Sequence, residues 1–176
     1  HSANIEGGIE SFLARRSPRF RRNMRRAQRQ AHGAGLDFDY ICEVKEEEVA
    51  PLYERILRIE AKSHKGADAS GILLDPMRSF YAHMLPRLAR RGSLRALFAT
   101  MDGHDVGYVF GGVMGATYRG LQMSFDQAHG SLSPGNLVQG AMIEALAEEG
   151  VRTYDLGSDI DYKRRWADGG LETAAL

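Results

Sequence analysis

The chain has 176 residues and a formal net charge of zero, enough for one domain with a real core or one domain plus an arm. It has no run of about eighteen apolar residues, which excludes a membrane-spanning helix. It also has no charged-then-apolar leader, and the expectation is a cytoplasmic protein. The single cysteine, Cys42, excludes an internal disulfide. Its apolar strand setting reads as a buried core thiol rather than a nucleophile.

The zero net charge hides an asymmetry. Residues 15–29 hold eight arginines (15, 16, 19, 21, 22, 25, 26 and 29) and no acid. With 23 basic and 23 acidic side chains in all, the rest of the chain keeps 15 basic against 23 acidic, a net of minus eight. A basic arm on an acidic body is a feature of organisation.

In chain order, the first ten residues read as loose. Ser17-Pro18 then starts a helix to about His32, with Gly33 and Gly35 as stop signals. Phe20, Met24, Ala27 and Ala31 form a narrow apolar stripe on it, and arginines cover the rest. Leu36 to Glu43 alternates apolar and acidic residues, as a strand does. Glu46 to Ser63 is an amphipathic helix. Lys65 to Leu74 is a Gly/Ala/Asp/Ser loop. Asp75-Pro76 opens another helix, which Gly92 ends.

Three strands follow: Ser93 to Met101, His104 to Met114 and Ala116 to Phe125, the first two joined by an Asp102-Gly103 hairpin signal. Gly107, Gly111 and Gly112 within the second predict a bulge or plain irregularity. Ser131-Leu132-Ser133-Pro134-Gly135-Asn136-Leu137 then leads into a helix over 134–149. Ser133 is placed to cap it, and Pro134 suits its first position. A strand running through such a turn into a helix N-terminus presents amide donors and a positive dipole end, a seat for an anion. Val151 to Leu156 is a short strand, Tyr162 to Trp166 a basic, aromatic helical turn, and Leu171 to Leu176 the start of a further strand. Hairpin-linked strands between helices predict a mixed α/β (α+β) fold with a mostly antiparallel central sheet.

Four motifs in this order resemble the GNAT acyltransferase fold, in its FemAB-like, acetyltransferase 6 branch. They are Ser17-Pro18-Arg19-Phe20-Arg21-Arg22-Asn23, Ser124-Phe125-Asp126, Leu132-Ser133-Pro134-Gly135-Asn136-Leu137, and Tyr154-Asp155-Leu156-Gly157 with Tyr162-Lys163-Arg164-Arg165-Trp166. Together they cover nearly the whole chain. The resemblance implies a linker helix over 1–35 and a GNAT-like domain over 36–176. That domain is the second half of a larger protein or partners a second copy. It also implies transfer of an acyl group from acetyl-CoA or another acyl-CoA to a small-molecule or peptide amine. The usual arginine- and glycine-rich pyrophosphate loop of the fold is reduced here to Gly135 and Asn136. Two other readings stand beside it: a Fem-type transferase that takes its donor from tRNA through the arginine helix, and a non-catalytic half that only binds.

Each candidate residue has two readings. Ser133, Gly135, Asn136 and Leu137 contact the donor, or simply start a helix. Asp126 accepts a proton from the attacking amine or caps the next turn. Asp155, at a strand end, binds a cationic acceptor, or pairs with Arg164 or Arg165. Asp159 and Asp161 follow it, and Asp161 is the second candidate base. No histidine is near enough to suggest a metal. Tyr162, Lys163, Arg164 and Trp166 join cations to aromatics, as suits a phosphate or carboxylate. Lys163 carries the Fem-type donor lysine by resemblance, against a plain amphipathic turn with Trp166 in the core. The arginine helix binds nucleic acid or links to another half.

Overall fold

The computed structural model describes residues 1–67, 71–157 and 161–169. Its centre is an open six-stranded sheet. The strands are β1 (Ser2–Asn4), β2 (Leu36–Ile41), β3 (Leu94–Met101), β4 (His104–Met114), β5 (Thr117–Phe125) and β6 (Thr153–Asp155). Their spatial order is β1-β6-β5-β4-β3-β2. Among the described residues only β5 and β6 pair in parallel, and every other pair is antiparallel. This is the mixed, mostly antiparallel sheet that the hairpin signals predict.

Period-two alternation splits the sheet between two cores. Leu97, Ala99, Val109 and Tyr118 face one, beneath α1 (Gly8–Ala14), α2 (Pro18–Gly33) and α6 (Pro134–Glu148). Ala96, Phe98, Tyr108 and Phe110 face the other, beneath α3 (Glu46–Ala61) and α5 (Met77–Arg90). Between α3 and α5 lie α4 (His64–Ala67) and a 3₁₀ turn, Gly71–Leu73, which carries the fully buried Ile72. The segment read as an open loop is therefore partly folded. A further short helix, α7, is Asp161–Arg164.

The N-terminus is where the structure departs most from the sequence reading. The first residues are not loose: β1 pairs antiparallel with β6, Ser2 opposite Asp155 and Asn4 opposite Thr153. Three residues without alternation carry no local strand signal, so a partner about 150 positions away has to supply it. Phe12 and Leu13 of α1 are buried, as is Ile5 before it. At α2 the reading holds: Ser17 accepts from the Phe20 N–H at 3.2 Å and Pro18 opens the helix. Its stripe of Met24, Ala27 and Ala31 is buried in the first core.

The β4 glycines mark an irregularity as predicted. Register shifts between Phe110 and Gly111, leaving Leu121 of β5 as the extra residue. Cys42 lies just beyond β2 and is half-buried rather than a core thiol. The proposed strand over 171–176 lies outside the described residues.

Candidate functional site

A split in the sheet creates the site. β5 is nine residues long, yet β6 pairs only with Thr117, Tyr118 and Arg119. Gly120 stands at the parting, where a Cβ would come within 2.8 Å of Tyr154 Cε2. Beyond it, the main chain of β5 loses its β6 neighbour. The Asp126 N–H donates to Val106 O at 2.9 Å, which sets the alternation along β5. Met123 and Phe125 therefore turn their amide groups away from β4 and into the split. A cavity of about 700 Å³ fills this opening.

One wall is the start of α6: Ser133, Gly135, Asn136 and Gln139 line the cavity. Ser133 does not cap as expected. Its backbone is left-handed (φ 57, ψ 46), outside the extended region from which a capping side chain accepts, and it makes no side-chain cap bond. Its carbonyl accepts from Asn136 N–H at 3.0 Å and Leu137 N–H at 3.2 Å instead. Gly135 is needed for closeness: a Cβ there would sit 3.1 Å from Phe125 Cδ1 and 3.3 Å from Met123 Sδ. The turn thus lies directly on the free edge of β5, with the Gly135 amide at the positive end of the helix. Gln139, one turn on, is 3 % exposed, and its Nε2 has no hydrogen-bond partner. An unpaired donor on a cavity wall is a group suited to a ligand acceptor.

The opposite side is cationic. Lys65 and Lys163 both line the cavity. Lys65 Nζ donates to Met123 O and Gln122 Oε1, each at 3.0 Å, and stands 3.8 Å from Glu60 Oε1. Glu60 is fully buried and accepts from Tyr108 Oη at 2.9 Å. Burial lowers the Lys65 ammonium, against the pull of Glu60. Lys163 is lowered by burial first, then by Arg119 and Lys65, with Asp155 opposing. Among the described residues its ammonium has no hydrogen bond or ion pair.

Several expected groups are placed elsewhere. Asp126 Oδ1 caps the Ala128 N–H at 2.9 Å, and Oδ2 stands 3.7 Å from both Lys62 Nζ and His129 Nδ1. It is not on the cavity wall, and the capping role accounts for it. Leu137 is buried in the first core. Asp155 pairs with Arg119 rather than Arg164 or Arg165, because the parallel register sets the two side by side. Its other oxygen accepts from Gly157 N–H at 2.8 Å. Trp166 is 2 % exposed and packed on Phe12 and Phe20, so it belongs to the core. Arg164 is exposed. The side chains of Asp161 and Tyr162, and all of Asp159, lie outside the described residues.

The sequence reading missed Lys65, Gln122 and Gln139. The two glutamines carried a signal, a polar residue within an apolar strand and within an apolar helix. Lys65 carried none, since its place depends on where α4 meets β5.

A family model described as an acetyltransferase (GNAT) domain matches residues 18–164. Among solved structures, the chain resembles FemX with a TM-score of 0.68 at 12 % identity, covering 90 % of this chain and 52 % of that one. It resembles an aminoglycoside acetyltransferase from an uncultured soil metagenomic sample, in complex with sisomicin, with a TM-score of 0.58 at 13 % identity, over 83 % and 95 % of the two chains. It also resembles the C-terminal domain of a putative lysylphosphatidylglycerol synthetase from Agrobacterium fabrum, with a TM-score of 0.57 at 12 % identity, over 89 % and 48 %. The chain spans about half the length of the FemX chain. At these identities the likeness is one of fold. No curated protein sequence matches the chain.

Proposed function

The chain belongs to the acetyltransferase (GNAT) domain family, and from that premise we propose that it is an N-acyltransferase using an acyl-CoA thioester and an amine acceptor. The observation that carries the reading is the cavity at the β5–β6 split, walled by the start of α6 and edged by Lys163. Three groups fit the donor. The Gly135 amide and the α6 dipole suit a phosphate, Lys163 adds a charge-assisted contact, and Gln139 Nε2 suits an amide oxygen along the donor's arm.

The chemistry asked of the protein is positioning and charge stabilisation. The acceptor nitrogen attacks the thioester carbonyl, a C–N bond forms, the C–S bond breaks, and the thiolate leaves with a proton. The Met123 and Phe125 amides, turned into the split, suit the carbonyl oxygen as negative charge develops on it. Lys65 holds the Met123 carbonyl at 3.0 Å and so orients the strand edge. Of the two candidate bases, Asp126 is engaged in its turn. Asp161, two residues before Lys163 in α7, takes the amine's proton in this proposal and returns it to the leaving thiolate.

Calorimetry with acetyl-CoA tests the reading, with release of the free thiol in the presence of polyamine and aminoglycoside acceptors as the activity readout. Binding in the micromolar range, weakened by Lys163→Ala, is expected. Absence of binding at millimolar ligand would overturn it.

A further inference from the structure

The eight arginines of residues 15–29 fall into two groups in the structure. Three serve the fold. Arg15 donates to Ser11 O and Asn4 O. Arg16 pairs with Asp168 at 2.7 Å and lies over the Phe12 ring. Arg21 donates to Ala14 O and Arg16 O. The other five, Arg19, Arg22, Arg25, Arg26 and Arg29, are exposed and take part in no hydrogen bond or ion pair among the described residues.

At about 100° per residue these five fall within about 120° of arc on α2, opposite the buried stripe of Met24, Ala27 and Ala31. A face made only of like charges at three- and four-residue spacings works against the helix, by roughly 0.2–0.5 kcal/mol for each such pair. No acid on α2 relieves it. The stripe is already covered by the body of the protein, so helix docking does not explain the arginines.

We infer that this face of α2 binds the phosphodiester backbone of a nucleic acid. Planar guanidinium groups suit phosphate oxygens. Arg19 to Arg29 span about 15 Å of helix, and their long side chains reach several backbone phosphates from that row. Pro18, Arg21, Arg22, Arg25 and Arg29 line a shallow cavity of about 270 Å³ on this face, a concave seat for a backbone. Met24, Ala27 and Ala31 of α2 are buried and Phe20 packs against Trp166, so the arginine face carries no apolar side chain long enough to insert into a lipid surface. No aromatic ring stands on the exposed face to stack on a base, so the contact is to backbone and not to sequence. The inference stands independently of the proposed reaction, because binding is read without donor or acceptor.

The test is fluorescence anisotropy with a labelled RNA duplex and the DNA duplex of the same sequence, over a range of salt. The expected slope of log affinity against log salt is about −4 to −5, near 0.9 for each phosphate neutralised. Replacing all five arginines with glutamine should abolish binding, with circular dichroism confirming the fold. Arg25→Gln alone should lower the slope by about one and provides the reading if the fivefold variant unfolds. Tighter binding of RNA assigns the face to RNA, and equal binding assigns it to any phosphodiester backbone. No salt-dependent binding, unchanged binding by the variants, or equal binding of phosphatidylglycerol vesicles or poly-glutamate would overturn the inference.

Discussion

Trp166 stacks on Phe12 with ring centroids 5.5 Å apart and 23° between the planes, closing the end of α7 onto the first helix. Phe20 meets the same indole edge-on at 5.1 Å. A ring from a motif read as ligand-binding thus fastens the two ends of the domain. Trp166→Ala should cost about 3–5 kcal/mol, as large aromatic truncations in cores do. Trp166→Phe should lose much less. Urea unfolding followed by circular dichroism checks both, and a loss below about 1 kcal/mol for the alanine variant would contradict this role.

Two glycines should respond oppositely to alanine. At Gly111 a Cβ would meet Arg119 O at 2.1 Å and Tyr118 Cζ at 2.6 Å, and the first neighbour is backbone. Gly111→Ala should destabilise by about 3 kcal/mol. At Gly33, the last residue of α2, nothing lies within 4 Å of a Cβ. Gly33→Ala should raise stability by about 0.5–1 kcal/mol. Paired thermal melts decide the sign of each.

Stability in acid should depend on Asp168. Burial pushes its carboxyl up, but hydrogen bonds from Arg16 and the Asn4 amide, with Arg15 beside them, hold it below its usual value of 3.8. A depressed folded-state pKa contributes stability above 3.8 and loses it as pH falls through the lower folded value. Asp168→Asn should therefore lower the melting temperature near neutral pH, and the gap to the parent should shrink as pH falls below 3.8. A gap that stays constant as the pH is lowered would show that the pair contributes nothing through its charge.

Donor binding should have an alkaline limb set by Lys163. Burial, then Arg119 and Lys65, lower its ammonium from 10.5, so the charge is lost at a lower pH than on an exposed lysine. Affinity for acetyl-CoA should fall as pH rises through that value. Lys163→Arg keeps the charge and should remove the limb, while Lys163→Ala should bind about tenfold more weakly across the range. Calorimetry at several pH values separates the three, and an alkaline limb that persists in the arginine variant would assign it to another group.

Much of the fold is legible in the residues. The three central strands with their Asp102-Gly103 turn, the Ser17-Pro18 start of α2 and the glycine-marked bulge all follow from local chemistry. The turn before α6 was legible as a place, though Ser133 is left-handed instead of capping. Asp126 and Trp166 were legible only as alternatives. Each had a functional and a structural reading of the same residues, and the structure supports the cap for one and the core for the other.

The sequence alone determined the strand and helix periods, the charge asymmetry and the position of the turn, because each depends on residues a few positions apart. Tertiary structure decided the rest: the pairing of β1 with β6, the parting of β5 from β6 at Gly120, and the meeting of Lys65 and Lys163 at one cavity. It also decided which five arginines face solvent. These features join segments far apart in the chain, and no local preference specifies which of them meet until the two cores have packed.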